Sequence, residues 1–131
     1  MCSNSSTLAV VDIPKDCGNA PRKIVIRDFL IALYSGDLDQ TLEMLTDDVR
    51  WEVVGSHVLA GKAETRSWLM HAVSAQELKL HTVITHGTDC GADGVATYEN
   101  SRTACFNHVI VFSGHAKTAK ISEIRSYLID G

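Results

Sequence analysis

Between Arg22 and Ser35 the apolar positions Ile26, Phe29, Leu30, Leu33 and Tyr34 recur at the 3.6-residue period, which predicts an amphipathic helix. Pro21 suits its first turn and Gly36 its left-handed stop. Asp37 then reads as an N-cap, and Leu38, Leu42 and Leu45 line one side of a short second helix closed by Thr46, Asp47 and Asp48. From Val49 to Val54 the period changes to two, with Val49, Trp51 and Val53 set against Arg50, Glu52 and Val54, the pattern of a strand with unequal faces. Gly55 to Gly61 is expected to be a loop. Lys62 to Val73 returns to helical spacing through Trp68, Leu69, Ala72 and Val73.

After that third helix the chain reads as sheet. Leu78 to His86, Val95 to Asn100, Thr103 to Phe112 and Ala119 to Leu128 are β-rich runs, and turn residues separate them at Gly87 to Gly94 and Ser113 to Lys117. Helices followed by hairpin-connected strands predict an α+β domain, with three helices packed on a curved, mostly antiparallel sheet. A sheet curved around a long helix leaves a hollow. Residues 1–20 have no periodicity and are read as a loose N-terminal arm in which Leu8 to Ile13 can still pair as a strand, ahead of one domain over 21–131.

Composition narrows the function classes. The 131 residues suit a single domain, and 45% hydrophobic with 21% charged residues is ordinary for a globular chain. A net charge of −4 disfavours nucleic acid as a partner, because phosphate binding needs clustered Lys and Arg. Arg22, Lys23 and Arg27 form one basic cluster, read as the solvated start of a helix. No apolar run approaches the roughly 20 residues that span a bilayer, and residues 1–20 lack a signal-peptide pattern, so a cytoplasmic protein with no membrane partner is expected. Cys2, Cys17, Cys90 and Cys105 show no C-x-x-C spacing and are expected to be free thiols, with Cys105 packing in an apolar strand. The six histidines have no H-x-x-x-H or H-E-x-x-H spacing, so no metal or other cofactor is expected.

Several segments in order resemble one family. These are the helix end Phe29-Leu30-Ile31-Ala32-Leu33-Tyr34-Ser35-Gly36-Asp37-Leu38-Asp39, then Leu45-Thr46-Asp47-Asp48-Val49, Gly61, and the closing Ile121-Ser122-Glu123-Ile124-Arg125-Ser126-Tyr127-Leu128. Together they are similar to the nuclear transport factor 2-like superfamily, most closely its SnoaL-like branch, over roughly residues 22 to 130. The resemblance implies a cone-shaped α+β barrel with a ligand-sized cavity, and commonly a homodimer. It does not imply one chemistry, since the superfamily holds isomerases, cyclases, hydrolases and non-catalytic interaction modules.

The chemistry that the resemblance implies carries over only in part. A ketosteroid-isomerase-like arrangement would set a phenol donor at Phe29, which has no hydroxyl; Tyr34, the next polar aromatic on that helix, lies over one turn away. The carboxylate base would fall at Val53, beside Glu52, and the second acid at Asn107, which is followed by His108 and can donate a hydrogen bond but not titrate. An epoxide-hydrolase-like arrangement meets Ser126 where an acid would stand, with Glu99 and Arg102 nearby, and a cyclase-like one would need His108 or Glu99 in place of an aspartate. The sharpest acid/base candidates are therefore Asn107, His57, Glu52 and His108. Strand alternation and resemblance give pocket candidates Phe29, Leu33, Trp51, Val53, Val109, Ile124, Ser126 and Leu128. Glu123, Arg125, Tyr127 and Tyr98 are expected on the outer face, which would meet a second copy. A one-residue change of register inverts this assignment. The function expected is binding of a small, apolar, oxygenated ligand, with isomerase, cyclase or hydrolase chemistry open. The other class is a dimerisation or protein-interaction module, and a collapsed, fully apolar interior would favour it.

Overall fold

The computed structural model describes the backbone of residues 9–12 and residues 21–130 in full. In chain order the elements are β1 (Ala9–Asp12), α1 (Pro21–Ser35), α2 (Leu38–Glu43), β2 (Leu45–Val53), β3 (His57–Ala60), α3 (Gly61–Leu69), β4 (Glu77–His86), β5 (Asp89–Thr97), β6 (Thr103–Phe112) and β7 (Ile121–Asp130). Seven strands form one sheet in the order β1-β4-β5-β6-β7-β2-β3. The pairs β1·β4 and β2·β7 are parallel and the other four antiparallel. This is the expected α+β architecture, three helices against a curved and mostly antiparallel sheet. The strand expected within the arm is present as β1; the rest of residues 1–20 lies outside the described residues.

α1 buries Ile26, Phe29, Leu30 and Tyr34 of the stripe that its periodicity marks, with Ala32 buried beside them and Leu33 half-buried. It stops where Gly36 takes φ 83°, with Gly36 N–H on the Leu33 carbonyl at 3.4 Å and Asp37 N–H on the Ala32 carbonyl at 3.0 Å. Those paired bonds are a Schellman cap and satisfy two carbonyls the helix end would orphan. Asp37 caps α2 through Gln40 N–H at 3.2 Å.

Several boundaries differ from the sequence reading, the last strand by a shift from residues 119–128 to Ile121–Asp130. α2 ends at Glu43, so Leu45, Asp47 and Asp48 belong to β2. α3 ends at Leu69 and does not reach Val73. Gly55 to Gly61 holds a strand, β3, which returns on β2 through a tight turn with Gly55 at φ 83°; with Leu59 alone buried on it, its alternation is too short to register.

The largest correction is β5, which begins at Asp89, so that the expected turn from Gly87 to Gly94 is a two-residue hairpin followed by strand. Asp, Gly and Ala are poor strand formers by propensity, but pairing on both edges overrides this. Its interior face carries Cys90, Ala92, Gly94 and Ala96, all buried and all small. That flat strip gives α1 and the large side chains of β6 the room they occupy. Cys90 and Cys105 are free thiols, Cys90 buried and Cys105 exposed on the outer face, where it was expected to pack; Cys2 and Cys17 lie outside the described residues.

Gly94 is the sharpest case, because a Cβ there would run into the Lys79 carbonyl oxygen and lie 3.0 Å from Cζ of Phe106. The β4·β5 pairing at Leu80↔Gly94 next to a register shift cannot yield without breaking the ladder. Gly94→Ala should therefore cost about 3 kcal/mol of unfolding free energy in urea titrations. Gly114→Ala, where nothing lies within 4 Å of the added carbon, is the matched control. Equal midpoints for the two variants would refute the crowding argument.

Candidate functional site

A hollow of about 290 Å3 opens between α1, α3 and the interior faces of β2, β6 and β7. Its size is just below the roughly 300–1,000 Å3 typical of small-molecule sites. Leu33 of α1, Trp51 of β2, Trp68 and Leu69 of α3, and Ala72 and Val73 just beyond α3 supply apolar walls. Deep in it lie Tyr34, His108 and Ser126; Tyr98, Arg102, Leu128 and Asp130 form the outer part.

Four side chains from four elements join in one hydrogen-bonded chain. Trp51 Nε1 donates to Ser126 Oγ at 2.8 Å, Ser126 Oγ lies 2.7 Å from His108 Nδ1, and His108 Nε2 lies 2.8 Å from the Tyr34 hydroxyl. Strand register explains the meeting: His108 pairs with Ser126 across β6 and β7, and Trp51 sits two residues before Val53, the β2 partner of Ser126. The rings of Tyr34 and Phe106 stack at 4.9 Å and those of Phe106 and His108 at 5.1 Å, fixing both polar rings against one aromatic plate.

Burial sets the charge of this chain. His108 is 2% exposed, and desolvation of its imidazolium lowers its pKa to about 4, so the ring is neutral at pH 7. Burial likewise raises the Tyr34 phenol well above its usual value, with a smaller push from Tyr98, so Tyr34 keeps its proton.

A neutral chain constrains where each proton goes. An indole N–H can only donate, so Ser126 accepts from Trp51. If the Ser126 hydroxyl donates to His108 Nδ1, the imidazole carries its hydrogen on Nε2 and donates to Tyr34, whose own O–H is then left for the cavity. In the opposite order Ser126 accepts twice and its own hydrogen has no acceptor among the described residues. Tyr34 is 8% exposed and Ser126 1%. The first order leaves the spare donor on the group that the cavity reaches better, and the network assigns it on that ground.

Five of the residues picked from sequence come together here: His108, Leu33, Trp51, Ser126 and Leu128. The others do not. Phe29, Val53 and Ile124 are buried in the core behind the hollow, Phe29 with its ring 6.1 Å from that of Trp51. Asn107 and Val109 alternate with inward His108 and point outward, Asn107 opposite Tyr127. Glu52 also faces outward, 3.5 Å from Arg50. His57 sits on β3 with Nδ1 2.7 Å from Ser56 Oγ and its ring 5.4 Å from that of Trp68, outside the cavity lining. Of the four acid/base candidates His108 alone reaches the hollow: Asn107 has the opposite parity to it on β6, Glu52 the opposite parity to buried Trp51 and Val53 on β2, and His57 lies on β3. Tyr34, weighed from sequence only as a phenol over one turn from the expected position, and Tyr98, expected on the outer face, both line the hollow. Tyr34 carried a signal, being the one hydroxyl-bearing aromatic on the buried stripe of α1; Tyr98 gave none, since it lies just past the end of β5, where strand alternation no longer sets its direction. Among the described residues no group of His, Cys, Asp and Glu is placed to hold a metal ion, and no helix is long and apolar enough to cross a membrane.

The fold has many relatives of known structure. An NTF-2-like protein of unknown function from Burkholderia xenovorans superposes with a TM-score of 0.70 at 19% identity, over 86% of this chain and 88% of that one. A candidate ketosteroid isomerase from Kribbella flavida reaches 0.65 at 13% identity, over 85% and 79%. The epoxide hydrolase/cyclase-like enzyme SalBIII, which acts in pyran ring formation in the polyether salinomycin, reaches 0.65 at 22% identity, over 86% and 94%. At such identities the likeness speaks for the fold alone. No curated protein matches the sequence. The SnoaL-like domain profile matches residues 26–124, most of the chain, and the protein belongs to the SnoaL-like domain family.

Proposed function

We propose that the protein binds a small, largely apolar, oxygen-bearing ligand in this hollow and that the Tyr34 hydroxyl donates a hydrogen bond to the ligand oxygen. The observation that carries this reading is the buried chain from Trp51 through Ser126 and His108 to Tyr34, which in the proton order assigned above ends on an O–H with no acceptor of its own. Each donor in the series polarises the next, so the terminal phenol is a better donor than a free one. An interior with such a polar convergence favours the ligand-binding reading over an interaction module, for which an apolar, filled core would serve.

The chain is suited to stabilise negative charge that develops on a ligand oxygen, as in enolisation, epoxide opening or ring closure. It is not suited to take up a proton for good. Passing the Tyr34 proton to the ligand and drawing the others along would leave an anion on Ser126, 1% exposed and with one indole N–H as its other partner. Asp130 is the one carboxylate among the lining residues and stands in the outer part. Tyr34 is thus read as an electrophilic donor, and isomerase, cyclase or hydrolase chemistry would use it in that role.

A naphthyl ketone dye whose emission reports hydrogen bonding at its carbonyl tests the donor directly. Tyr34→Phe keeps the ring stack and removes the hydroxyl, so dye affinity should fall about fivefold, equivalent to about 1 kcal/mol, with a blue-shifted emission. Identical affinity and emission in the two proteins would discard Tyr34 as the donor.

The reading also needs His108 neutral, which has a stability consequence. An unfolded histidine titrates near 6.5, whereas folded His108 takes a proton only near pH 4. The stabilising preference for the neutral ring is full above pH 6.5 and is lost as the pH falls from 6.5 to 4, amounting to about 3 kcal/mol. His108→Gln retains a donor and an acceptor and should lack this acid limb. Urea titrations of both proteins between pH 7 and 4 check it, and parallel stability curves would contradict a buried neutral imidazole.

A further inference from the structure

We infer that the ligand carries an anionic group, such as a carboxylate or sulfonate, away from its reactive oxygen, and that Arg102 at the cavity rim selects it. This deepens the proposed function and rests on it. Arg102 lines the same hollow as Tyr34, His108 and Ser126 but is exposed.

The state of this guanidinium sets it apart from its counterparts. Arg27 lies 3.0 Å from Asp28, Arg50 3.5 Å from Glu52, Arg66 4.0 Å from Asp39 and Arg125 2.6 Å from Glu123. Arg22 donates to the Gly114 carbonyl at 3.0 Å and covers the Phe112 ring at 4.0 Å. Among the described residues Arg102 is the one arginine whose side chain has no hydrogen bond, ion pair or ring partner. It therefore keeps its full set of planar donors for an incoming oxyanion.

The backbone holds it there at a cost. A single 3-10 turn over Glu99–Ser101 connects β5 to β6, and in it Asn100 and Ser101 take φ 69° and 63°, left-handed values that neither a serine nor two successive non-glycine residues adopt readily. Tyr98 N–H donates to the Arg102 carbonyl at 2.7 Å and closes the turn. The strained connection thus delivers Tyr98 and Arg102 together to the rim. Burial raises the Tyr98 phenol's pKa, partly offset by Arg102, so it stays protonated and is a second donor at the same rim.

Asp130 lines the same rim but forms no ion pair with Arg102, so it leaves the guanidinium open. An apolar body between Trp51, Trp68 and Leu33, a neutral oxygen at Tyr34 and an anionic tail at Arg102 describe one amphipathic ligand.

Two fluorescent probes with one skeleton separate this inference from the reading beneath it. Anilinonaphthalene sulfonate carries one anionic group, and its parent N-phenylnaphthylamine is uncharged. In the wild type the sulfonate should bind about five- to tenfold more tightly than the parent at low salt, the range of one partly exposed charge-assisted contact, and each probe should displace the other. In Arg102→Gln that ratio should fall to about one, and in wild type it should shrink as salt shortens the screening length. The substitution is at an exposed side chain without partners, so thermal unfolding should move little, and circular dichroism confirms that the variant is folded. If both probes bind with no preference for the sulfonate, or the preference survives in Arg102→Gln, the anion inference is overturned and the cavity reading stands. If neither probe binds, both fail.

Discussion

The Ser126 hydroxyl is the point on which the interior depends. It is 1% exposed and joins three elements at once, accepting from Trp51 of β2, bonding His108 of β6, and belonging itself to β7. Through His108 it reaches Tyr34, and so α1. A buried donor or acceptor left without its partner costs about 1–3 kcal/mol, so any shift of β2, β6, β7 or α1 that opens one bond penalises the rest. The helix is therefore located against the sheet by direction as well as by hydrophobic area. The hollow beside the chain persists because its polar edge cannot be closed by apolar collapse without losing those bonds.

The same burial explains why the site carries no charge in its depth. Bringing an imidazolium or phenolate out of water is costly unless a counter-charge is near, and the depth holds none: Arg102 and Asp130 both stand in the outer part. What survives is a series of dipoles. Hydrogen-bond donors that are already aligned need no reorganisation when charge develops before them, which is the physical basis of oxyanion stabilisation. The distribution follows the dielectric, with neutral donors where water is excluded and ionised groups where it is not.

Much of this was legible in the sequence. The stripe of α1 at Ile26, Phe29, Leu30, Leu33 and Tyr34, the Gly36 stop, the Asp37 cap and the alternation around Trp51 each follow from one residue type meeting one backbone requirement. The site was legible only in part, for one identifiable reason. In Thr103 to Phe112 both parities carry apolar residues, Phe106, Ile110 and Phe112 on one and Val109 and Val111 on the other, so the run does not declare its inner face. Cross-strand partners share a face, and the pairing of His108 with Ser126 decides it; pairing is a property of two strands and cannot be read from either alone. β5 escaped for a related reason, since its small residues are explained by what packs on them and not by their own propensity.

The family relationship and the side chains carry different information, and their disagreement is instructive. Phe29 stands where the resemblance would place a phenol, and it packs against Trp51 as core. Tyr34, five residues on, is at the other edge of the buried stripe of α1 and brings a phenol to the hollow from farther along the helix axis. A fold built around a cavity fixes a helix beside a sheet but leaves open which helical position supplies the donor, because adjacent turns of one face all look into the interior. The choice at 34 brings its own constraint: the phenol must be oriented from behind, and β6 and β7 do so with His108 and Ser126. Moving the donor along the helix moves the partner it needs along the strands, so the donor and its support form one unit. For that reason the histidine at 108 and the serine at 126 are better understood as the second half of Tyr34 than as substitutes for acids that the chain lacks.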